Sequence, residues 1–280
     1  MARFGLKPTA EVPYERRCIA GLAGRPEVVV YVVNGGKASS RPAILHTHGG
    51  GFVMGSAEAA VAELQAICRT LDCVAVSVDY RLAPETTYAG SIEDNYAALK
   101  WLYDNAAALG VDGRRIAVMG ESAGGGHAAL LAIAARDRGE VPLAFQCLTY
   151  PMLDDRTGTT RLVPSHVGRL IWTPRDNRFG WESFLGTAPG ERTAPRGAVA
   201  ARVADLAGLP PAWIGVGSLD LFHDEDVDYA QRLNAAGVST ELIVVAGAFH
   251  GFDMPMIPAP VSRWFGVTRL TALRRGLAIS

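Results

Sequence analysis

The chain has 280 residues, 49% of them apolar and 20% charged, which is enough for one large buried core. Its 27 Lys and Arg against 28 Asp and Glu leave a net charge of −1, and no basic run interleaves with aromatics. That balance speaks against nucleic acid or an anionic membrane surface as a partner.

Four cysteines, Cys18, Cys68, Cys73 and Cys147, form no C-x-x-C unit, and three of them lie in apolar runs, so buried free thiols are expected. The opening Met-Ala-Arg-Phe-Gly-Leu-Lys-Pro has no apolar core or cleavage site, and no run approaches about 18 apolar residues. The expectation is a soluble, cytoplasmic protein without membrane insertion.

In chain order, Tyr14 to Ala20 and Glu27 to Val33 read as a hairpin at a sheet edge, followed by a turn over Asn34 to Ser40. Pro42 to Thr47 is the next strand. Glu58 to Leu71 then has helical spacing, with Val61, Leu64, Ile67 and Leu71 on one face. Val74 to Val78 is a buried-looking strand, and Ile92 to Leu109 a helix carrying Leu99, Leu102 and Tyr103. Ile116 to Met119 predicts a strand and Ala123 to Ala135 a helix rich in Ala and Leu. Ala144 to Tyr150, Trp213 to Val216 and Glu241 to Val245 predict further strands, with a helix over Asp226 to Ala236.

Strands alternating with helices imply an α/β fold with a mainly parallel central sheet covered on both faces. One region breaks the rhythm. Between Pro151 and Leu209 no strand pattern is evident, while Trp172, Phe179, Trp181 and Phe184 are scattered among Arg, Thr, Gly and Pro. This predicts one domain over 1–280 with an inserted helical cap at 152–208 and a short N-terminal contribution from 1–13.

The chemistry converges on Gly120-Glu121-Ser122-Ala123-Gly124, placed between the strand and helix predicted on either side. A serine hydroxyl becomes a nucleophile only beside a base and near amides that can hold an oxyanion, and a sharp strand-to-helix turn provides that exposure. His250, in a loop after the last strand and flanked by Gly247 and Gly251, is the candidate base. Asp220 is the first carboxylate past the strand ending near Gly217, with Asp224 as the fallback; Asp224, Glu225, Asp226 and Asp228 are otherwise explained by the dipole and solvation of the next helix. The order Ser122, Asp220, His250 is that of α/β-hydrolases.

His48-Gly49-Gly50-Gly51-Phe52, directly after a strand, supplies bare amides for an oxyanion, with His48 expected to fix the loop by a hydrogen bond. His46 and His48 lack a third ligand of suitable spacing, so no metal is expected.

Together His48 to Phe52, Asp79-Tyr80-Arg81-Leu82-Ala83-Pro84-Glu85, Gly120 to Gly125, Asp220 with Asp224-Glu225, and His250-Gly251-Phe252 resemble the hormone-sensitive-lipase-like esterases, or bacterial family IV carboxylesterases, of the α/β-hydrolase superfamily. The resemblance covers most of the chain from Ala43. It implies an α/β-hydrolase fold and a serine carboxylesterase for short- to medium-chain esters, with Ser122, Asp220 and His250 as the triad. Gly50, Gly51 and Ala123 would supply the oxyanion hole. It further implies no metal or organic cofactor, a small-molecule ester substrate, and a homodimer formed through the last strand.

Phe52, Trp172, Trp181 and Phe184 are candidate acyl-pocket residues. Amide cleavage or acyl transfer on the same triad stays open, as does a non-catalytic ligand receptor on this fold, although such receptors lack the histidine. The chain departs from the family pattern at Glu121, where Asp is commoner and lid contacts are expected to change. It departs again in the surface turn Thr86 to Gly90, and in its short N-terminus, which weakens the expectation of a closed acyl pocket.

Overall fold

The computed structural model describes residues 7–36, 39–254, 257 and 259–279. Among these, eight strands form one sheet: β1 (Tyr14–Ile19), β2 (Val28–Val33), β3 (Arg41–Thr47), β4 (Val74–Asp79), β5 (Val111–Glu121), β6 (Phe145–Thr149), β7 (Ala212–Gly217) and β8 (Thr240–Val245). Their order is β1-β2-β4-β3-β5-β6-β7-β8, with β2 antiparallel to both of its neighbours and every other pair parallel. The expected turn over Asn34 to Ser40 falls partly on residues 37–38, outside the described residues.

The chain leaves β3 in one direction to β4 and returns to pair β5 on the other side of β3. The loops at the carboxyl ends of β3 and β5 therefore diverge, leaving the crevice in which open α/β sheets bind ligands.

Among the described residues the α-helices are, in order, α1 (Val61–Leu71), α2 (Tyr88–Asp104), α3 (Ala106–Leu109), α4 (Ala123–Arg138), α5 (Pro174–Leu185), α6 (His223–Ala235) and α7 (Pro260–Gly276). α1 and α7 cover one face of the sheet, where Val61, Leu64, Ile67, Phe265 and Leu273 join Ile44, Met119 and Trp213 in one core. α2, α4 and α6 cover the other, with Leu99, Leu131 and Leu233 against Leu45, Val118 and Ile214. Each fully buried leucine or isoleucine contributes about 2 kcal/mol.

α4 is buried nearly all round, since it lies between the sheet and α2; its glycines and alanines are what such close approach requires. The predicted helix over Ile92 to Leu109 is two helices, starting earlier at Tyr88 and broken at Asn105. α7 has no counterpart in the sequence reading.

The insertion is less helical than expected. Apart from α5 and a short 3-10 turn at Ala200–Arg202, the segment between β6 and β7 is irregular. α5 begins with a full capping box, in which the Thr173 hydroxyl and the Asp176 carboxylate each accept a backbone N–H from the other residue, with Pro174 following the cap. Elsewhere Pro and Gly interrupt helix, and side chains do the holding: Asp155 binds Arg202, and Asp154 binds Arg156 and Arg161.

Both ends of the insertion are rooted on α6. Glu225 accepts the N–H groups of Leu153 and Asp154 at 2.6 and 3.1 Å, and Arg232 donates to the carbonyls of Ala201 and Val203. The roots also touch each other, with Ala201 N–H donating to Leu153 O at 3.1 Å.

Candidate active site

β5 ends at Glu121 and α4 starts at Ala123, so Ser122 alone makes the turn between strand and helix, with φ 57° and ψ −123°. A non-glycine residue there is strained, and three backbone bonds hold it: its N–H donates to Thr149 O, and its carbonyl accepts from Gly126 and Met152. Crossing space is minimal. A Cβ on Gly124 would lie 2.1 Å from Thr47 O, so only glycine lets α4 approach the end of β3.

The Ser122 hydroxyl meets His250 Nε2 at 3.0 Å, and His250 Nδ1 meets Asp220 Oδ2 at 2.9 Å. Asp220 is fully buried, and its other oxygen accepts the Phe222 N–H at 3.0 Å. A carboxylate can only accept, so Nδ1 donates to Asp220 and Nε2 is left to accept the hydroxyl hydrogen. The imidazole is gripped by the Phe222 and Tyr150 rings, whose centroids lie 5.1 and 4.7 Å away. Gly247 N–H on the Ser218 hydroxyl and Leu219 N–H on Ala248 O lock the two loops together. Asp224 is exposed and bonds His223.

The cleft at this point is lined by His48, Gly49, Gly50, Gly51, Met54, Ser122, Tyr150, Trp172, His250 and Met254, among others. Ala123 is the first residue of α4, where N–H groups have no partner within the helix. His48 anchors the glycine loop as expected: Nδ1 bonds Gly49 O, its ring stacks on Tyr80 at 4.2 Å, and the Tyr80 hydroxyl donates to His48 O at 2.7 Å. Burial pushes His48 down to about 4.

Of the four expected lining aromatics, only Trp172 reaches the cleft. Phe52, Trp181 and Phe184 pack on one another behind the glycine loop, Phe52 stacking on Phe184 at 4.0 Å, and are a core rather than a wall. The Glu121 carboxylate accepts from His46 Nε2 at 3.1 Å and lies 3.7 Å from Arg269 Nη1, and Arg269 also binds Glu63. Glu225 and Asp226, read as helix solvation, are buried, and burial raises both carboxyls well above the usual range.

His127 was missed altogether. It is fully buried among Phe52, Tyr80 and Phe184, neither of its nitrogens has a hydrogen-bond partner among the described residues, and burial pushes it down to about 3. Its signal was a histidine inside an otherwise Ala, Gly and Leu helix. Arg269 lay in the unread C-terminal helix.

A sheet of this topology with hydroxyl, imidazole and carboxylate in line at its carboxyl edge defines a serine hydrolase of the α/β class. A family model described as the alpha/beta hydrolase fold matches residues 44–254. The chain belongs to that family, in its hormone-sensitive-lipase-like branch, and is a serine carboxylic ester hydrolase.

It is 39% identical over 241 residues to the carboxylesterase NlhH of Mycobacterium tuberculosis, covering 84% of this chain and 74% of that protein. It is 32% identical to the ethyl acetate hydrolase of Pseudomonas putida, over 75% of this chain and 65% of that one. Among solved structures, a bacterial heroin esterase superposes with a TM-score of 0.90 at 40% identity, covering 96% of this chain and 85% of the other. Among the described residues no helix is long and apolar enough to cross a membrane.

Proposed function

We propose that Ser122, His250 and Asp220 are the catalytic triad of a carboxylesterase for short- to medium-chain esters. The observation that carries this reading is the continuous chain of two hydrogen bonds, 3.0 and 2.9 Å, from the Ser122 hydroxyl through His250 to the buried Asp220. His250 Nε2 takes the hydroxyl proton as Oγ attacks the ester carbonyl carbon, and Asp220 stabilises the imidazolium that forms. The amides of Gly50, Gly51 and Ala123 bind the oxyanion. Collapse expels the alcohol, protonated by His250, and leaves the acyl group on Ser122. Water, deprotonated by His250, then attacks the acyl-enzyme and releases the acid.

Residues 152–208 act as the cap in this reading. Trp172, on the cleft wall beside the glycine loop, favours short acyl chains. β8 is an edge strand with Val244 exposed, and two copies pairing there is the proposed homodimer, checked by its mass in solution and its loss in Val244→Lys.

The test is hydrolysis of p-nitrophenyl esters from acetate to palmitate, with Ser122→Ala beside it. Activity that declines beyond about eight carbons and disappears in a folded Ser122→Ala protein is expected. A Ser122→Ala enzyme keeping more than about a tenth of the rate would remove Ser122 from the mechanism, since losing a triad member costs orders of magnitude.

A further inference from the structure

The glycine loop is held from outside by the insertion as well as from below by the sheet. Gly50, Gly51 and Phe52 have φ values of 128°, 60° and 68°, a run of left-handed conformations that needs support. That support comes from the insertion. The indole of Trp172 lies where a Gly51 Cβ would stand, within 2.0 Å of that position, and is fixed by its Nε1–H on Asn177 Oδ1 at 3.2 Å. Asn177 is fully buried and donates in turn to Thr157 O at 2.8 Å.

On α5, Gly180 faces the same residue: a Cβ added there would meet Gly51 O at 2.7 Å. One turn on, Phe184 stacks on Phe52, and Trp181 meets Phe52 edge-on at 5.1 Å. Only a helix lacking a side chain at position 180 can seat its backbone this closely on the loop.

We propose that α5 and Trp172 are positioning elements for the oxyanion-binding amides, so that the insertion sets the rate of acyl transfer and not only the shape of the pocket. The proposal rests on the reading of Gly50 and Gly51 as oxyanion donors. Donor geometry at such a site is exacting, because the amides are worth most when aimed where charge develops, and a displacement of an ångström costs orders of magnitude. A methyl group at position 180 meets a backbone carbonyl rather than a flexible side chain, so Gly51 or α5 must shift. Trp172→Leu acts from the other side, withdrawing the ring that covers Gly51.

The experiment compares Gly180→Ala, Trp172→Leu and, on the solvent side of α5, the exposed Phe179→Ala, using p-nitrophenyl acetate. Acetate has an acyl group too short to press against a distant wall, so a residue that merely limits chain length leaves its turnover alone. Gly180→Ala and Trp172→Leu are each expected to lower kcat on acetate about ten- to a hundredfold. A methyl trifluoromethyl ketone, which adds Ser122 Oγ to its carbonyl carbon and leaves an oxyanion in the hole while His250 keeps the proton, should bind more weakly by a similar factor. Phe179→Ala should match wild type throughout.

Wild-type kcat on acetate with undiminished ketone affinity in Gly180→Ala, or in Trp172→Leu should the alanine variant not fold, overturns the inference and leaves the esterase reading standing. A wild-type protein that turns over no ester and does not bind the ketone overturns that reading itself.

Discussion

The two buried histidines behind the glycine loop make stability depend on pH in a definite direction. His48 and His127 are held neutral in the folded protein, at about 4 and about 3 against an ordinary value of 6.5. In the unfolded chain both bind protons as pH falls below 6.5, so stability is whole above that value and is lost progressively down to the folded values. Between about pH 7 and about pH 5, integrating the difference in bound protons gives about 2 kcal/mol for each histidine. Together that is a large part of a typical total of about 5–15 kcal/mol.

The perturbation is His127→Leu, of similar size and apolar, in a cage of Phe52, Tyr80 and Phe184 rings that offers the imidazole nothing to bond. At about pH 7 the variant should be as stable as wild type or more so, since two buried nitrogens without protein partners are removed. Urea unfolding at both pH values measures the rest: His127→Leu should lose about 2 kcal/mol less than wild type on going to about pH 5. An equal loss in the two proteins would refute the reasoning, because the imidazole would then titrate alike folded and unfolded.

Asp220→Asn is expected to lower kcat by about 10⁴ while Asp224→Asn stays near wild type; a loss confined to Asp224→Asn would move the acid there. Asp226 sits fully buried with its carboxyl raised by burial first and by Glu225 and Asp220 next, so the folded state favours the protonated form and loses stability as pH rises above the ordinary carboxylate range. Asp226→Asn should therefore raise Tm by a few degrees at about pH 8, and less at about pH 4, as followed by circular dichroism; a constant increment would count against it. Gly124→Ala should cost both stability and turnover, since its methyl group would meet the carbonyls of Thr47 and His48 at 2.1 and 2.6 Å. A fully active Gly124→Ala enzyme would show that α4 can back away from β3 without consequence.

Much of this architecture was readable from the chain because local rules and burial agreed. β-branched runs such as Val28 to Val33 became strands, and the steps of three, three and four between Val61, Leu64, Ile67 and Leu71 became a helix with that face inward. Glycine spacing around Ser122 and after His48 pointed to the crevice, and Trp172 to its wall. Composition could not say which face an aromatic presents, so Phe52, Trp181 and Phe184 read as a pocket although they meet one another.

Acids at a helix start satisfy the dipole rule whether exposed or buried, which hid the anchoring role of Glu225. α7 escaped because Pro and Gly in its approach, exposed apolar Trp264 and Val267, and a buried Arg269 blur the helical period. The irregular parts of the insertion are held by side-chain pairs distant in sequence, such as Asp155 with Arg202, which no local pattern records.

The double rooting of the insertion on α6 makes it an exchangeable cassette. Leu153 and Ala201 are hydrogen-bonded to each other, so a segment of almost any length can leave and re-enter the domain at one place without disturbing the sheet. With the insertion acting as the proposed cap, grafting at those two points is the economical route to new substrate ranges. A donor segment would have to bring its own bare spot for the Gly51 carbonyl, as Gly180 does here, and a recombinant library sorted on that one criterion should be richer in active members than one built on overall similarity.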